Sequence, residues 1–343
     1  MGDEFGDRKR AAAVYNPVKL RSVERFVAAV TTQSARAGWR EPLLLETTVE
    51  DPGQQATRRA LAEGVDVVLV AGGDGTVRSV AEAMRGSGVP LAIVPSGTGN
   101  LLARNLLLPL DDMDPMVRAA FDGDVTGVDI GLATLTRESG EAETHAFVVM
   151  AGMGLDAAMI ANTNPRMKKQ LGWVAYVDGA ARSLPTAKAF RIAYQVDGRS
   201  LHSVKVQSVL FANCGALPAG IELVPGAKID DGLLDVALIQ PAGLFGWIGV
   251  WRKVWWDNSV LRRSRLGRRV VERTRNQSIR YLAGRAVEAA SAEPSPVELD
   301  GDGFGFASRI HCRVDQGALL VALPRGGRLL QRARETREVI EGA

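Results

Sequence analysis

The chain has 343 residues, 46% of them hydrophobic and 24% charged, with a formal net charge of +3. That suits about two folded domains and excludes a polyelectrolyte or a disordered chain. Two cysteines, Cys214 and Cys312, and three histidines offer no disulfide framework, no metal knuckle and little scope for a histidine-centred hydrolase.

In chain order, the first part alternates short apolar runs with helical segments. Ala11–Tyr15, Pro42–Leu45, Val65–Ala71 and Leu91–Val94 are expected strands. The near-continuous apolar run Val65–Ala71 is the mark of a parallel strand covered on both faces. Between them lie the expected helices Ser22–Ala37, Gln54–Glu63 and Val77–Met84, with Leu101–Leu107 after the last strand. Strand–helix alternation predicts a three-layer α/β domain with a parallel sheet. After about Asp129 the period changes to two. His145–Met150, Arg191–Val196, Ser203–Leu210, Leu233–Ile239, Val297–Leu299 and Ala318–Leu323 are expected strands, with a hairpin turn at Val196–Arg199. This predicts a larger, mostly antiparallel β domain, interrupted by a helical insert at about 241–290. The expected division is 11–130, with a return of the chain at 312–335, and 131–311.

Two glycine turns carry the chemistry. Gly72-Gly73-Asp74-Gly75-Thr76 follows one buried strand directly, and Pro95-Ser96-Gly97-Thr98-Gly99-Asn100 follows the next. Glycine permits a sharp turn and close approach of a ligand, and a helix start offers N–H groups and a positive dipole end to an anion. Both turns fall at the carboxyl edge of one sheet, where open α/β sheets bind ligands. Neither contains the GK[ST] of a P-loop. Gly152-Met153-Gly154-Leu155-Asp156-Ala157 fits a dinucleotide fingerprint formally. It lies outside the α/β half, so a turn lining a cleft is expected there instead.

GGDGT followed by PSGTGN is similar to the catalytic domain of diacylglycerol kinases, the group of bacterial lipid kinases and sphingosine kinases. The resemblance continues in Tyr15-Asn16-Pro17, Thr48, Ala151–Asp156, Lys169–Gly172 with Tyr176, Asp230–Leu234 and Leu299–Asp302, and covers about residues 11–325. It implies an ATP-dependent kinase that phosphorylates a lipid hydroxyl, diacylglycerol first among candidates, with ATP and Mg2+ as cofactors. It implies nucleotide contacts from Asn16, Thr48, Gly72, Gly73, Asp74, Gly75, Thr76, Gly97 and Thr98. It implies a structural magnesium at Asp231 and the Leu233 carbonyl, with Asp230 beside them, and a reaction centre at Asp300 and Asp302. A carboxylate can take the proton of the acceptor hydroxyl; Asp300 is the favoured base and Asp302 the next candidate. The chain departs from the pattern at three places: Leu101 stands where many relatives carry Asp, Val18-Lys19-Leu20 follows Asn16-Pro17, and the usual Asp-Gly-Glu is Asp-Gly-Asp.

Leu244, Trp247, Ile248, Trp251, Val254 and Trp255 recur at helical spacing, and arginines crowd the stretch up to Arg275. An aromatic apolar face with a basic flank describes either a helix lying on an anionic membrane surface, the favoured reading, or one packed on the core with a solvated basic face. No stretch reaches the ~20 apolar residues of a membrane span and no apolar run follows a basic start. The expected place is therefore the cytoplasm, peripherally on the inner face of the membrane, with a lipid substrate and no nucleic acid partner. Two rivals remain. An NAD kinase-like enzyme would phosphorylate a ribose hydroxyl, but its adjacent Asn-Glu pair is absent from this sequence. A non-catalytic lipid-binding protein on a kinase scaffold would not need the acids at 74, 231, 300 and 302. The identity of the lipid and the oligomeric state are not written in the sequence.

Overall fold

The computed structural model describes residues 8–154, 189–217, 223–240 and 279–327. The chain forms two compact units, one of residues up to Val128 together with the stretch from Gly317, the other Asp129–Gln316. The tryptophan- and arginine-rich stretch 244–275 and the Lys169–Tyr176 segment lie outside the described residues.

In the first unit, β1 (Ala11–Tyr15), β2 (Leu43–Glu46), β3 (Val67–Gly72) and β4 (Leu91–Pro95) form a parallel sheet in the order β2-β1-β3-β4. The end of a late strand, β14 (Asp302–Leu323), adds beside β4 at Val321↔Leu91, also parallel. All residues of β1 and β3 are buried, which explains their unbroken apolar runs. The helices α1 (Val23–Arg36), α2 (Gln54–Ala62), α3 (Asp74–Met84), α4 (Leu101–Asn105) and α5 (Asp114–Asp122) connect and cover the strands. Ser22 caps α1 by accepting from the Arg25 N–H at 3.1 Å. The sequence pattern does not announce α5; it buries only Met116, Val117, Ala119 and Ala120, with Pro115 in its first turn.

In the second unit, β5 (Asp124–Thr136) pairs with β6 (Ala142–Phe147) as a hairpin. The strands β7 (Met150–Gly154), β10 (Ser208–Ala212), β11 (Leu234–Ile239) and β12 (Ile279–Gly284) form an antiparallel run, β12-β11-β10-β7, that continues to β13 (Ala286–Leu299) and β14. β13 changes partners along its length. It pairs with β8 (Phe190–Val196) over Val287–Ser291, and with β7 over Val297–Leu299. Register shifts fall between, beside Pro296, as expected where a strand must bend. β9 (His202–Val206) extends β8. The core cluster, including Phe147, Met153, Phe211, Val287, Leu299 and Ile310, fills the interior.

Four expectations need correction. Residues 279–290, taken for part of a helical insert, are strands β12 and β13; the charged and small residues there obscure the period of two. Of Gly152–Ala157, taken for a turn, residues 152–154 belong to the buried strand β7, and 155–157 lie outside the described residues. His145–Met150 is two strands, broken at Val148 and Val149. Ser203–Leu210 is likewise β9 and β10, broken at Gln207, whose N–H turns to Ile239 O.

Candidate active site

The first group of site residues belongs to the carboxyl edge of the parallel sheet. After β1, the Asn16 N–H donates to Ala71 O at 2.8 Å, pinning this connection to β3. The Asn16 side chain then accepts the Val18 N–H at 3.0 Å and closes a tight turn. Lys19 brings its Cε to within 3.8 Å of where a side chain on Gly73 would begin. After β2, Thr48 Oγ1 accepts from the Asp51 N–H at 3.0 Å. The Asp51 carboxylate in turn accepts from Gly53, Gln55 and Ala56, and so caps α2. Burial pushes the Asp51 carboxyl up, but the backbone N–H groups of Gln55, Ala56, Gly53 and Gln54 outweigh it and hold it below the usual range.

The helix α3 starts at Asp74, three residues before the apolar periodicity becomes visible at Val77. Gly75 and Thr76 are therefore its first turn, and Gly73, at the cap position, makes no side-chain cap. The neighbouring turn comes close: a Cβ on Gly97 would lie 3.0 Å from Gly73 Cα. Asp74 joins the two turns, its carboxylate accepting the N–H groups of Asn100 at 3.2 Å and Leu101 at 2.6 Å. Asn100, at φ 48, closes its own loop through its side chain, which bonds both the N–H and the C=O of Gly97 at 2.9 Å. Leu101 contributes its backbone N–H to this arrangement. Thr98 is exposed on the same loop, whereas Thr76 is buried.

The second group belongs to the β unit. Asp300 and Gly301, at φ 50 and 89, form the two-residue turn between β13 and β14, where Leu299 pairs with Asp302. The Asp300 side chain is turned inward, and the residue is only 5% exposed. One carboxylate oxygen accepts the Val148 N–H at 2.8 Å; the other accepts Val149 at 2.8 Å and Met150 at 2.9 Å. These are the residues at which the strand breaks between β6 and β7, so the carboxylate takes the place of a strand partner. Asp302, at the start of β14, is half-buried.

At the turn before β11, Asp231 accepts the Leu233 N–H at 3.1 Å, and the buried Asp129 accepts the Gly232 N–H at 2.7 Å. Partial burial pushes the Asp231 carboxyl up; the Leu233 N–H and Lys228 oppose this, while the charges of Asp129 and Asp230 add to it. Among the described residues no group of three or more His, Cys, Asp and Glu side chains could hold a metal ion. The carboxylates of Asp230 and Asp231 are hard oxygen donors, the type that Mg2+ takes together with several waters. The residues missed by sequence reading are Asp51, Asp129 and Asn213. Each acts on main-chain groups remote in sequence or in an irregular turn, which leaves no periodic signal.

The diacylglycerol kinase catalytic domain matches residues 10–133, and the YegS C-terminal NAD kinase beta sandwich-like domain matches residues 148–322. A Pseudomonas aeruginosa protein described as "Probable lipid kinase YegS-like" is 31% identical over 318 residues, which are 90% of this chain and 92% of that protein. The chain belongs to the diacylglycerol kinase and YegS-like lipid kinase family. The Bacillus subtilis diacylglycerol kinase is 25% identical over 301 residues, covering 87% of this kinase and 91% of that one. A diacylglycerol kinase from Bacillus anthracis str. Sterne has the same fold, with a TM-score of 0.65 at 19% identity over 94% of this kinase and 99% of that chain. Yeast NADH kinase shares the architecture at a TM-score of 0.51 and 10% identity, covering 96% of this kinase and 87% of that chain. Such distance speaks for the fold alone. Family membership makes this protein an ATP-dependent kinase.

Proposed function

We propose that this kinase transfers the γ-phosphoryl group of ATP to the hydroxyl of a lipid, diacylglycerol first among acceptors. The observation that carries the proposal is the helix start at Gly73, a glycine at the cap position met by a second glycine turn at Gly97. It is an anion site of main-chain donors. Gly72, Gly73, Gly75 and Thr76, with Gly97 and Thr98, would line the phosphates, and Asn16 and Thr48 would shape the flanking turns. Asp74 would keep the two glycine turns in register.

In the β unit we assign the base to Asp302 and give Asp300 the supporting role. Three N–H groups already engage the Asp300 oxygens, which makes it a poor proton acceptor beside the half-buried Asp302. As the lipid oxygen attacks the γ-phosphorus, its proton passes to the Asp302 carboxylate, the bond from phosphorus to the β–γ bridging oxygen breaks, and ADP leaves. A base of this kind is worth roughly 10²–10⁴-fold. A bound Mg2+ would supply charge neutralisation of the phosphates, and a second, structural ion would sit at Asp231 and the Leu233 carbonyl with Asp230 nearby. Peripheral docking on an anionic membrane, through 244–275, would bring the enzyme to its substrate; among the described residues no helix is long and apolar enough to cross a membrane.

The test is turnover of ATP with diacylglycerol, a sphingoid base, a polyprenol, a monoacylglycerol and NAD in parallel. Diacylglycerol should be phosphorylated, and Asp302→Asn should reduce the rate by about 10²–10⁴-fold. Phosphorylation of NAD alone would overturn the assignment.

A further inference from the structure

Asn213 follows β10 with its residue fully buried. Its Nδ2 donates to two main-chain carbonyls, Asp129 O at 2.9 Å and Val148 O at 3.0 Å. Its own N–H donates to Val149 O at 2.8 Å. Its Oδ1 accepts no hydrogen bond among the described residues. A buried acceptor left unmet is destabilising. A small apolar residue would avoid that cost, so the side chain is informative for what it donates.

Both carbonyls lead to functional turns. Val148 gives its C=O to Asn213 and its N–H to Asp300, so one peptide segment is gripped from both sides. Asp129 gives its C=O to Asn213, and its carboxylate accepts the N–H of Gly232, between Asp231 and Leu233. An uninterrupted series of hydrogen bonds and main-chain links therefore runs from the 230–233 turn through Asp129, Asn213 and Val148 to Asp300, two residues before Asp302. All of it lies within the β unit.

We propose that Asn213 is a positioning residue that locks the acid turn at 300–302 to the turn at 230–233. It fixes the carbonyls of the segment whose N–H groups hold Asp300, and Asp300 fixes where Asp302 begins. The kinetic part rests on Asp302 being the base; the lock itself does not.

Two readouts test it on the full-length chain. In Asn213→Ala, hydrogen exchange should accelerate at the amides of Val148, Val149, Met150 and Gly232. The kcat should fall about 10–100-fold, as a displacement near 1 Å can produce, with the KM for ATP unchanged. Added to Asp302→Asn, the same substitution should produce little further loss, because both act at one group. Asn213→Ser, which keeps one donor, should be intermediate in both readouts and serves if the alanine variant does not fold. Unchanged exchange at Val148–Met150 overturns the lock. Full additivity with Asp302→Asn overturns its role in catalysis. If the wild-type chain phosphorylates no lipid alcohol while the exchange pattern changes as stated, the substrate assignment falls and the lock stands.

Discussion

Replacing Asp300 by Asn separates its two conceivable roles, support and base, because the shape is kept while the charge is lost. The φ of 50 at this position does not confound the comparison, since Asn tolerates left-handed backbone where most residues pay about 1–2 kcal/mol. One carboxylate oxygen serves Val149 and Met150 and the other serves Val148. The amide oxygen of Asn can keep the first pair, which forces its NH₂ against the Val148 N–H. One hydrogen bond to a charged group is lost, worth about 1.5–3 kcal/mol, and a buried donor is left facing another donor. We expect a destabilisation of roughly 2–4 kcal/mol. At about 2–4 °C per kcal/mol for a unit of this size, the melting temperature of the β unit should fall by roughly 4–16 °C. Calorimetry, which resolves the two units if they melt separately, is the assay, with Asp302→Asn as the control. That control should melt like the wild type and lose activity. A stable but inactive Asp300→Asn beside an active Asp302→Asn would refute both the support role and the choice of base.

Gly99→Ala would place a Cβ 2.4 Å from an Asp74 carboxylate oxygen; it should break the Asp74 bonds to Asn100 and Leu101 and raise the Kd for ATP about tenfold or more in a nucleotide-binding titration, with any smaller change counting against the register role of Asp74. Asp51→Ala removes the α2 cap and should cost about 1–2 kcal/mol. Because the Asp51 carboxyl is held low in the folded state, this contribution is complete above the unfolded value near 3.9 and disappears as pH falls through the folded value; denaturant midpoints of wild type and variant should converge below about pH 4. Burial pushes the thiols of Cys214 and Cys312 far up, so a thiol reagent at pH 7.5 should label neither until the chain is unfolded.

The α/β unit was largely legible because its strands and helices keep long, clean periods. β1 and β3 are buried on both faces, and Ser22 marks the start of α1. The glycine turns were legible as a pattern, but not the start of α3: a helix whose first turn is Asp-Gly-Thr carries no apolar stripe there. The β unit hid more. The runs Phe147–Met150 and Val206–Ser208 are apolar or mixed across the points where strands break, because the breaks are made by hydrogen bonds from elsewhere, Asp300 in the first case and Ile239 O in the second. The roles of Asp300 and Asp302 could not be told apart from two acids spaced by glycine. The inward turn of the first, in a hairpin that reverses the chain, is what gives the two acids different surroundings.

The glycine at the start of α3 bears on nucleotide choice as well. Main-chain amides recognise phosphate oxygens and are blind to the nucleobase. A grip built from Gly73 to Thr76 would hold GTP or CTP as firmly as ATP, and any preference for adenine would have to come from side chains outside these glycine turns.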